Sequence, residues 1–180
     1  MFRKPIILAT FALLLIAADE KLTAYSNQQH GFKLSYPAQL SVMDAPNERV
    51  ILYLGTQDDG PDDIFRESVQ VKIEADGLDA KSLDDIVPAF ENSMKRSEIN
   101  IVESKRVELG GRPAQRIMYT HALNLPGGAV QAKATTYLML KGQTAYGLDA
   151  RATDKTFDRF MPIAQKVFDS FQWTDVQKKP

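Results

Sequence analysis

The sequence predicts an α+β fold with an antiparallel sheet of about seven strands and two helices, near residues 82–97 and 156–172. Three observations support this prediction. Apolar and polar residues alternate over several stretches, as in strands that bury one face. In the two helical stretches the apolar spacing changes to that of an amphipathic helix. Tight turns that contain glycine separate neighbouring strands, which must therefore run antiparallel.

The N-terminus has the pattern of a signal peptide. Two basic residues precede an apolar run over residues 6–16, which is too short for a comfortable membrane span. Cleavage is expected after Ala18, so residues 1–18 would be removed. The alternative is an uncleaved anchor, because Ile16 stands where such cleavage sites usually carry a small residue.

The rest of the chain predicts one domain over residues 19–175 and a frayed tail over residues 176–180. A chain of 180 residues with 44% hydrophobic and 25% charged residues suits one globular domain. A formal net charge of −1 excludes the strongly basic surface of a nucleic-acid-binding protein. The lack of cysteine excludes disulfides, thiol catalysis and thiolate metal sites.

Four strands are predicted before the first helix. They are expected over residues 32–36, 41–43, 49–54 and 68–75. In the last of these strands, the alternating apolar residues from Val69 to Ala75 are expected to face the core. The alternate residues Ser68, Gln70, Lys72 and Glu74 are expected to point outward.

The first helix is expected to begin after Ser82, a good N-cap residue, and Asp84 and Asp85 suit the positive end of the helix dipole. Its predicted apolar stripe comprises Leu83, Ile86, Val87, Phe90 and Met94. Pro88 lies inside this pattern and is expected either to bend the helix or to confine its regular part to one side. Pro162 raises the same question for the second helix.

A meander of strands is predicted to lead into the second helix. The strands are expected over residues 99–109, 113–123, 130–141 and 144–152. Turns that contain Gly110, Gly127 and Gly142 connect them, since glycine readily adopts the positive φ of such turns. The second helix is expected to bury one stripe, formed by Phe157, Phe160, Met161, Ala164, Val167, Phe168 and Phe171.

No recognised catalytic motif is found in the sequence, so we predict no enzyme activity and no catalytic or cofactor-binding residue. The only histidines are His30 and His121. His30 belongs to a polar turn and is expected at the surface. His121 shares a strand face with Ile117 and Tyr119, which favours a half-buried structural histidine with satisfied hydrogen bonds over a catalytic base.

The longest polar loop, residues 56–67, contains Asp58, Asp59, Asp62 and Asp63. These carboxylates could supply oxygen ligands to calcium, but their spacing does not match an EF-hand loop. A solvated acidic loop is therefore favoured, a weak calcium site is the alternative, and no other cofactor is expected. Because long loops on rigid scaffolds often carry function, this loop is also the expected contact surface for a partner.

Five segments carry a resemblance to a known family. They are GFKLSYP at residues 31–37, SVQV at 68–71, SLDD at 82–85, VELGGRPA at 107–114 and FDSF at 168–171. Together with Tyr25, they resemble the PsbP-like superfamily, which includes the extrinsic PsbP proteins of photosystem II and the DcrB-like exported domains of bacteria. The resemblance covers nearly all of the mature chain, and its motifs are specific to the fold rather than to a function.

The resemblance implies an α/β/α sandwich, in which helices cover both faces of a central antiparallel sheet. It also implies a non-enzymatic accessory or assembly factor with a protein partner in the cell envelope, no nucleic acid, and membrane contact only by association or through an uncleaved anchor. Photosystem subunits have a longer basic N-terminal extension, whereas the segment between Ala18 and Tyr25 of this chain contains a single basic residue, Lys21. The periplasm is therefore favoured, and the thylakoid lumen and secretion are alternatives. The alternative functions are a small-ligand or calcium-binding protein, including one associated with photosystem II, and an unrecognised hydrolase.

Overall fold

A computed structural model of the protein describes residues 21–57, 65–125 and 128–175. The predicted signal peptide, the predicted tail, the predicted turn at Gly127 and the four aspartates of the acidic loop lie outside these residues. These features therefore stay predictions.

The described chain folds into strands and two helices that largely follow the predicted order. In chain order they are β1 (Leu22–Asn27), β2 (Phe32–Pro37), β3 (Leu40–Val42), β4 (Val50–Thr56), β5 (Ser68–Ala75), α1 (Leu83–Arg96), β6 (Asn100–Leu109), β7 (Arg112–Leu125), β8 (Gly128–Lys141), β9 (Thr144–Thr153), α2 (Phe157–Ser170) and β10 (Gln172–Trp173).

Seven strands form one antiparallel sheet in the order β3-β4-β5-β9-β8-β7-β6. This arrangement confirms the predicted α+β fold. The turn between β6 and β7 has φ values of 60° at Gly110 and 80° at Gly111, and Gly142 between β8 and β9 has a φ of 60°. Positive φ at these positions favours glycine, and the tight turns keep the neighbouring strands antiparallel.

The two helices lie on opposite faces of this sheet, as the family resemblance implied. On one face, Leu83 and Ile86 of α1 pack against Leu138 and other residues of β8 and β9. On the other face, the ring of Phe168 in α2 lies 4.8 Å from the ring of Tyr137. Because successive residues of a strand point to opposite faces, Tyr137 and Leu138 serve two separate cores.

A second sheet of three strands, in the order β1-β2-β10, packs beside α2 and was not predicted. The expected helix over residues 156–172 ends earlier, at Ser170, and the chain continues as β10. The Ser170 hydroxyl donates to the carbonyl of Ser35 at 2.9 Å and accepts from its N–H at 2.8 Å. These bonds fasten the end of α2 to β2, a contact between distant residues that periodicity does not reveal.

Both helices continue through their prolines, which excludes the alternative that a proline confines the regular helix to one side. The other alternative, a bend at the proline, stays a prediction. Pro88 and Pro162 each stand sixth in their helix and are exposed. A proline at that position removes one backbone hydrogen bond. On the exposed side of a helix, the carbonyl left without its bond can turn to water.

No helix among the described residues combines the length and the apolar character needed to cross a lipid bilayer.

Candidate binding site

An apolar groove of about 270 Å³ lies beside α1, on the sheet face that this helix covers. Leu138 and Ala145 form its floor. The helix contributes one wall through Ile86, Ala89 and Phe90. Ala89 is exposed, whereas Leu138 is almost completely buried, so the groove is open to solvent above a floor that belongs to the core.

The opposite wall is the connection between β5 and α1, which is tied to the turn between β8 and β9. The N–H of Leu78 donates to the carbonyl of Gln143 at 2.9 Å. The hydroxyl of Thr144 donates to the carboxylate of Asp76 at 2.5 Å. Gly77 has a φ of 66°, which lets the chain turn between these two attachments. The groove therefore lies between two fixed walls.

The start of α1 places a carboxylate in the groove lining. Asp85 accepts hydrogen bonds from the N–H groups of Lys81 at 2.8 Å and Ser82 at 2.9 Å. Ser82 is the N-cap residue, as the sequence predicted. These backbone hydrogen bonds lower the pKa of Asp85, so its side chain carries a negative charge at neutral pH.

The charge around the groove is predominantly negative. Three carboxylates, those of Glu74, Asp79 and Asp85, are among its lining residues. No lysine or arginine of the described chain lines it. The segment over residues 74–85 contains five acidic residues and one lysine, so the wall itself is acidic.

Charged side chains of β5 and β9 continue from the groove along the same sheet face, and we call them the charged ladder. The Nζ atom of Lys72 lies 2.9 Å from Oε1 of Glu74 and 2.7 Å from Oδ2 of Asp149. Asp149 is completely buried, and its Oδ2 also accepts from Nε2 of Gln70 at 3.3 Å. The Nη2 atom of Arg151 lies 3.5 Å from Oδ2 of Asp149.

The ladder corrects the expectation that this side of β5 points to solvent. Ser68 and Gln70 are buried, with relative exposures of 4% and 5%. The reason is the neighbouring strand, because β9 places Asp149 directly opposite Gln70. The sequence does contain a signal, because each strand carries one basic and one acidic residue two positions apart and therefore on one face, Lys72 and Glu74 on β5 and Asp149 and Arg151 on β9. That signal could be used only after β5 and β9 were known to be neighbours.

The environment of the ladder keeps Lys72 protonated. Burial opposes its charge, but the carboxylates of Asp149 and Glu74 outweigh this effect and raise its pKa. Burial, together with the charge of Asp149, raises the pKa of Glu74. Lys72 is therefore held as a cation between two acids, which suits a structural ion cluster better than a proton acceptor.

Gly147 makes room for this cluster on β9. A Cβ atom at this position would lie 2.5 Å from Oε1 of Glu74 and 3.1 Å from Cε of Lys72. Because Gly147 has no side chain, Glu74 and Lys72 of β5 can lie across β9.

The two histidines lie on opposite faces of the main sheet and do not form one site. His30 is half-buried, with Nδ1 3.4 Å from the hydroxyl of Tyr146, so it is less exposed than expected.

His121 lies beside Tyr119, as predicted, with ring centroids 5.8 Å apart. Its Nε2 is buried without a hydrogen-bond partner in the described part of the chain, so the expectation of satisfied bonding is wrong. Burial and the charge of Arg151 lower the pKa of His121.

Within residues 21–57, 65–125 and 128–175, no three acidic, histidine or cysteine side chains come together as a metal site. The weak calcium candidates Asp58, Asp59, Asp62 and Asp63 lie outside those residues.

No protein-family model and no curated protein sequence matches the chain. Solved structures nevertheless share its fold. Cyanobacterial PsbP from Synechocystis aligns with a TM-score of 0.54 and 15% identity, over 92% of this chain and 98% of its own. LpqN, involved in cell envelope biogenesis of Mycobacterium tuberculosis, aligns with a TM-score of 0.55 and 11% identity, over 87% of this chain and 86% of its own.

The Ran-binding protein Mog1p of Saccharomyces cerevisiae also aligns, with a TM-score of 0.52 and 9% identity, over 87% of this chain and 97% of its own. Such low identities establish likeness of fold alone. The predicted PsbP-like architecture is therefore confirmed.

Proposed function

We propose that the protein is an exported, non-catalytic accessory domain that binds a protein partner through the groove beside α1. The observation that carries this proposal is the groove itself, which is apolar at its floor, open above and held between two tethered walls. Binding to a concave site that needs no rearrangement costs less conformational entropy than binding to a flexible site.

The open side of the groove favours part of a protein over a free small molecule. Small-molecule sites usually enclose about 300–1,000 Å³ and bury most of the ligand. A volume of about 270 Å³ with an open side suits an anchoring side chain whose backbone stays outside. Protein interfaces commonly concentrate their binding energy in such anchors.

The charged groups beside the groove support a non-catalytic role. Lys72 and Asp149 form an ion pair, and Glu74 and Gln70 contact them. Oδ1 of Asp149 has no hydrogen-bond partner in the described part of the chain, but the side chain is completely buried and out of reach of a substrate. A general base must instead reach a substrate proton with a free lone pair. The ladder thus stabilises the sheet next to the groove rather than presenting a reactive group.

The compartment is proposed from the sequence and from two structural relatives. The predicted signal peptide over residues 1–18 directs the chain out of the cytoplasm. LpqN is described as involved in cell envelope biogenesis and Mog1p as a Ran-binding protein, so this fold includes a protein of envelope biogenesis and a protein binder. We place the protein in the periplasm, with the thylakoid lumen as the alternative compartment.

Site-specific photo-crosslinking in the native organism tests this proposal. A photoreactive amino acid at Ala89 would sit in the groove, whereas one at Asn92 would occupy an exposed position of α1 outside the groove lining. A protein adduct that forms from position 89 and not from position 92 is expected. The captured protein is then purified and titrated against the wild type, Ala89→Arg and Asn92→Arg.

Loss of binding in Ala89→Arg with retention in Asn92→Arg supports the proposal. Equal crosslinking from both positions, or no protein adduct from position 89, contradicts it. A third probe at the exposed Gln57, within the loop over residues 56–67, distinguishes the groove from the contact surface that the sequence suggested.

A further inference from the structure

We infer that the partner segment bound by the groove carries an apolar side chain flanked by lysine or arginine. This inference rests on the proposed function and specifies the chemistry of the partner. It follows from two properties of the groove that point to different parts of one ligand, namely the apolar floor and the acidic lining.

The floor requires an apolar anchor. Leu138, Ala145 and Ile86 form the bottom of the groove and are already buried. The apolar surface left for a ligand comes mainly from the half-buried Leu78 and Phe90 and the exposed Ala89. A polar side chain placed against these residues would lose its hydrogen bonds to water without replacement. An aliphatic side chain would instead stabilise the complex in proportion to the apolar surface that it buries.

The charges around the floor require basic neighbours. Glu74 is already paired with Lys72, so the negative charge available to a ligand comes mainly from Asp79 and Asp85. Asp79 is exposed, and Asp85 is fixed by backbone hydrogen bonds that leave its charge in place. Arg106 does not line the groove and is bound to Asp84. A lysine or arginine beside the anchor would meet the exposed carboxylate of Asp79 and the hydrogen-bonded carboxylate of Asp85.

An acidic or phosphorylated segment is disfavoured on the same grounds. The N-terminus of a helix attracts anions through its unpaired N–H groups and its dipole. In α1, however, Asp84 and Asp85 already occupy the first turn, and Asp85 accepts from the Ser82 N–H. Another anion would meet these carboxylates before it reached the remaining N–H groups.

A random-peptide phage library, selected on the purified full-length protein, tests the inference without a known partner. Parallel selections use Ala89→Arg, its matched control Asn92→Arg, and Asp79→Asn with its control Asp158→Asn, an exposed aspartate of α2. Peptides that depend on the groove are those lost with Ala89→Arg and kept with Asn92→Arg. Circular dichroism of each variant checks that it is folded.

We expect the groove-dependent peptides to share an aliphatic residue with lysine or arginine within a few positions. In fluorescence anisotropy, such a peptide should bind Ala89→Arg at least about tenfold more weakly than the wild type, as expected for loss of an anchor. Asp79→Asn should weaken binding by about two- to fivefold and reduce its salt dependence, as a charge at the rim does. Asp158→Asn should change neither.

Groove-dependent peptides without basic residues, or with acidic ones, would overturn the inference, as would a selection that yields no groove-dependent peptide. None of these results depends on the crosslinking experiment. A protein crosslinked from position 89 that lacks an apolar–basic segment would leave the proposed function intact and refute only the inferred chemistry.

Discussion

At the scale of single residues, Gly147 has a role that its backbone conformation does not explain. Its φ lies outside the positive range that favours glycine, so an alanine would fit the backbone. The obstacle is a side-chain contact, because a Cβ would meet Oε1 of Glu74 at 2.5 Å. Gly147 is therefore required by the charged ladder and not by the strand.

Gly147→Ala is expected to destabilise the protein by about 1–3 kcal/mol, because the new methyl group displaces Glu74 and Lys72 from their ion pair. Chemical denaturation of the single variants and of Gly147→Ala with Glu74→Ala measures the coupling. The cost should shrink when Glu74 has already been removed. An equal cost in both backgrounds would mean that the methyl group clashes elsewhere.

Asp85 gives the start of α1 a dependence on pH. The folded protein lowers the pKa of this carboxyl below its ordinary value of 3.8 through hydrogen bonds from Lys81 and Ser82. A lowered folded-state pKa means that the ionised form is stabilised. This stabilisation is complete above the unfolded-state pKa and is lost as pH falls through the folded-state pKa.

The substitution Asp85→Asn is therefore expected to lower the free energy of unfolding at neutral pH. The difference from wild type should disappear in strong acid, where the wild-type carboxyl is also protonated. Urea denaturation between pH 7 and pH 2 measures this difference, with the exposed Asp79→Asn as control. A difference that persists unchanged in acid would show that Asp85 acts through its shape and not through its charge.

Sequence reasoning located some of these residues but not their environment. Ser82 and the acidic first turn were predicted because N-caps follow from local sequence. Lys72 and Asp149 were not recognised as partners, since 76 positions separate them and the pairing of β5 with β9 is not encoded locally. The four aspartates of the acidic loop suggested a contact surface because they are close together in the sequence. The groove could not be predicted in this way, because its residues are brought together only by folding.

At the scale of secondary-structure elements, α2 connects the main sheet to the small one. Its stripe of phenylalanines was predicted from helical spacing, and Phe157, Phe160 and Phe168 are indeed buried. One side chain of this stripe packs on Tyr137 of β8, and the end of the helix is bonded to Ser35 of β2. The helix thus anchors two sheets.

Phe168→Ala should cost about 3–5 kcal/mol of unfolding free energy, since the ring is completely buried and its removal leaves a cavity. Denaturation of Phe168→Ala and of Arg159→Ala, an exposed position on the same helix, provides the comparison. The control should change stability by less than about 1 kcal/mol. A similarly small effect at Phe168 would contradict the packing described for α2.

The elements that were missed are short or depend on distant partners. β10 has only two residues, too few for alternation to appear, and it pairs with β2 near the opposite end of the chain. β1 mixes apolar and polar residues without a regular alternation, so it gives little periodic signal. The long strands β7, β8 and β9 were predicted because their alternation and their connecting glycines agree.

At the scale of the whole molecule, the single tryptophan reports whether the two sheets unfold together. Trp173 of β10 is buried, and its ring lies 5.1 Å from that of Phe171 and 5.3 Å from that of Tyr146 in the main sheet. Lys141 places its Nζ atom 4.9 Å from the centre of the indole ring. The small sheet is therefore packed against the principal core.

We expect blue-shifted tryptophan emission in the native protein and a red shift on unfolding, since the indole moves from the core into water. The fluorescence midpoint in urea should coincide with the midpoint by far-ultraviolet circular dichroism, as in a single cooperative transition. An earlier fluorescence transition would show that β1, β2 and β10 separate before the main sheet unfolds.

The central claim, that the groove beside α1 is the binding site, is tested most directly by nuclear magnetic resonance of the ¹⁵N-labelled protein. The titrant is a selected peptide with an apolar anchor and basic flanks. We expect the largest amide shift changes on Ala75, Leu78, Ala80, Ala89 and Phe90, which line the groove. If the largest changes fall on α2 or on the free edge of β6 and the groove amides stay unchanged, the groove is not the binding site.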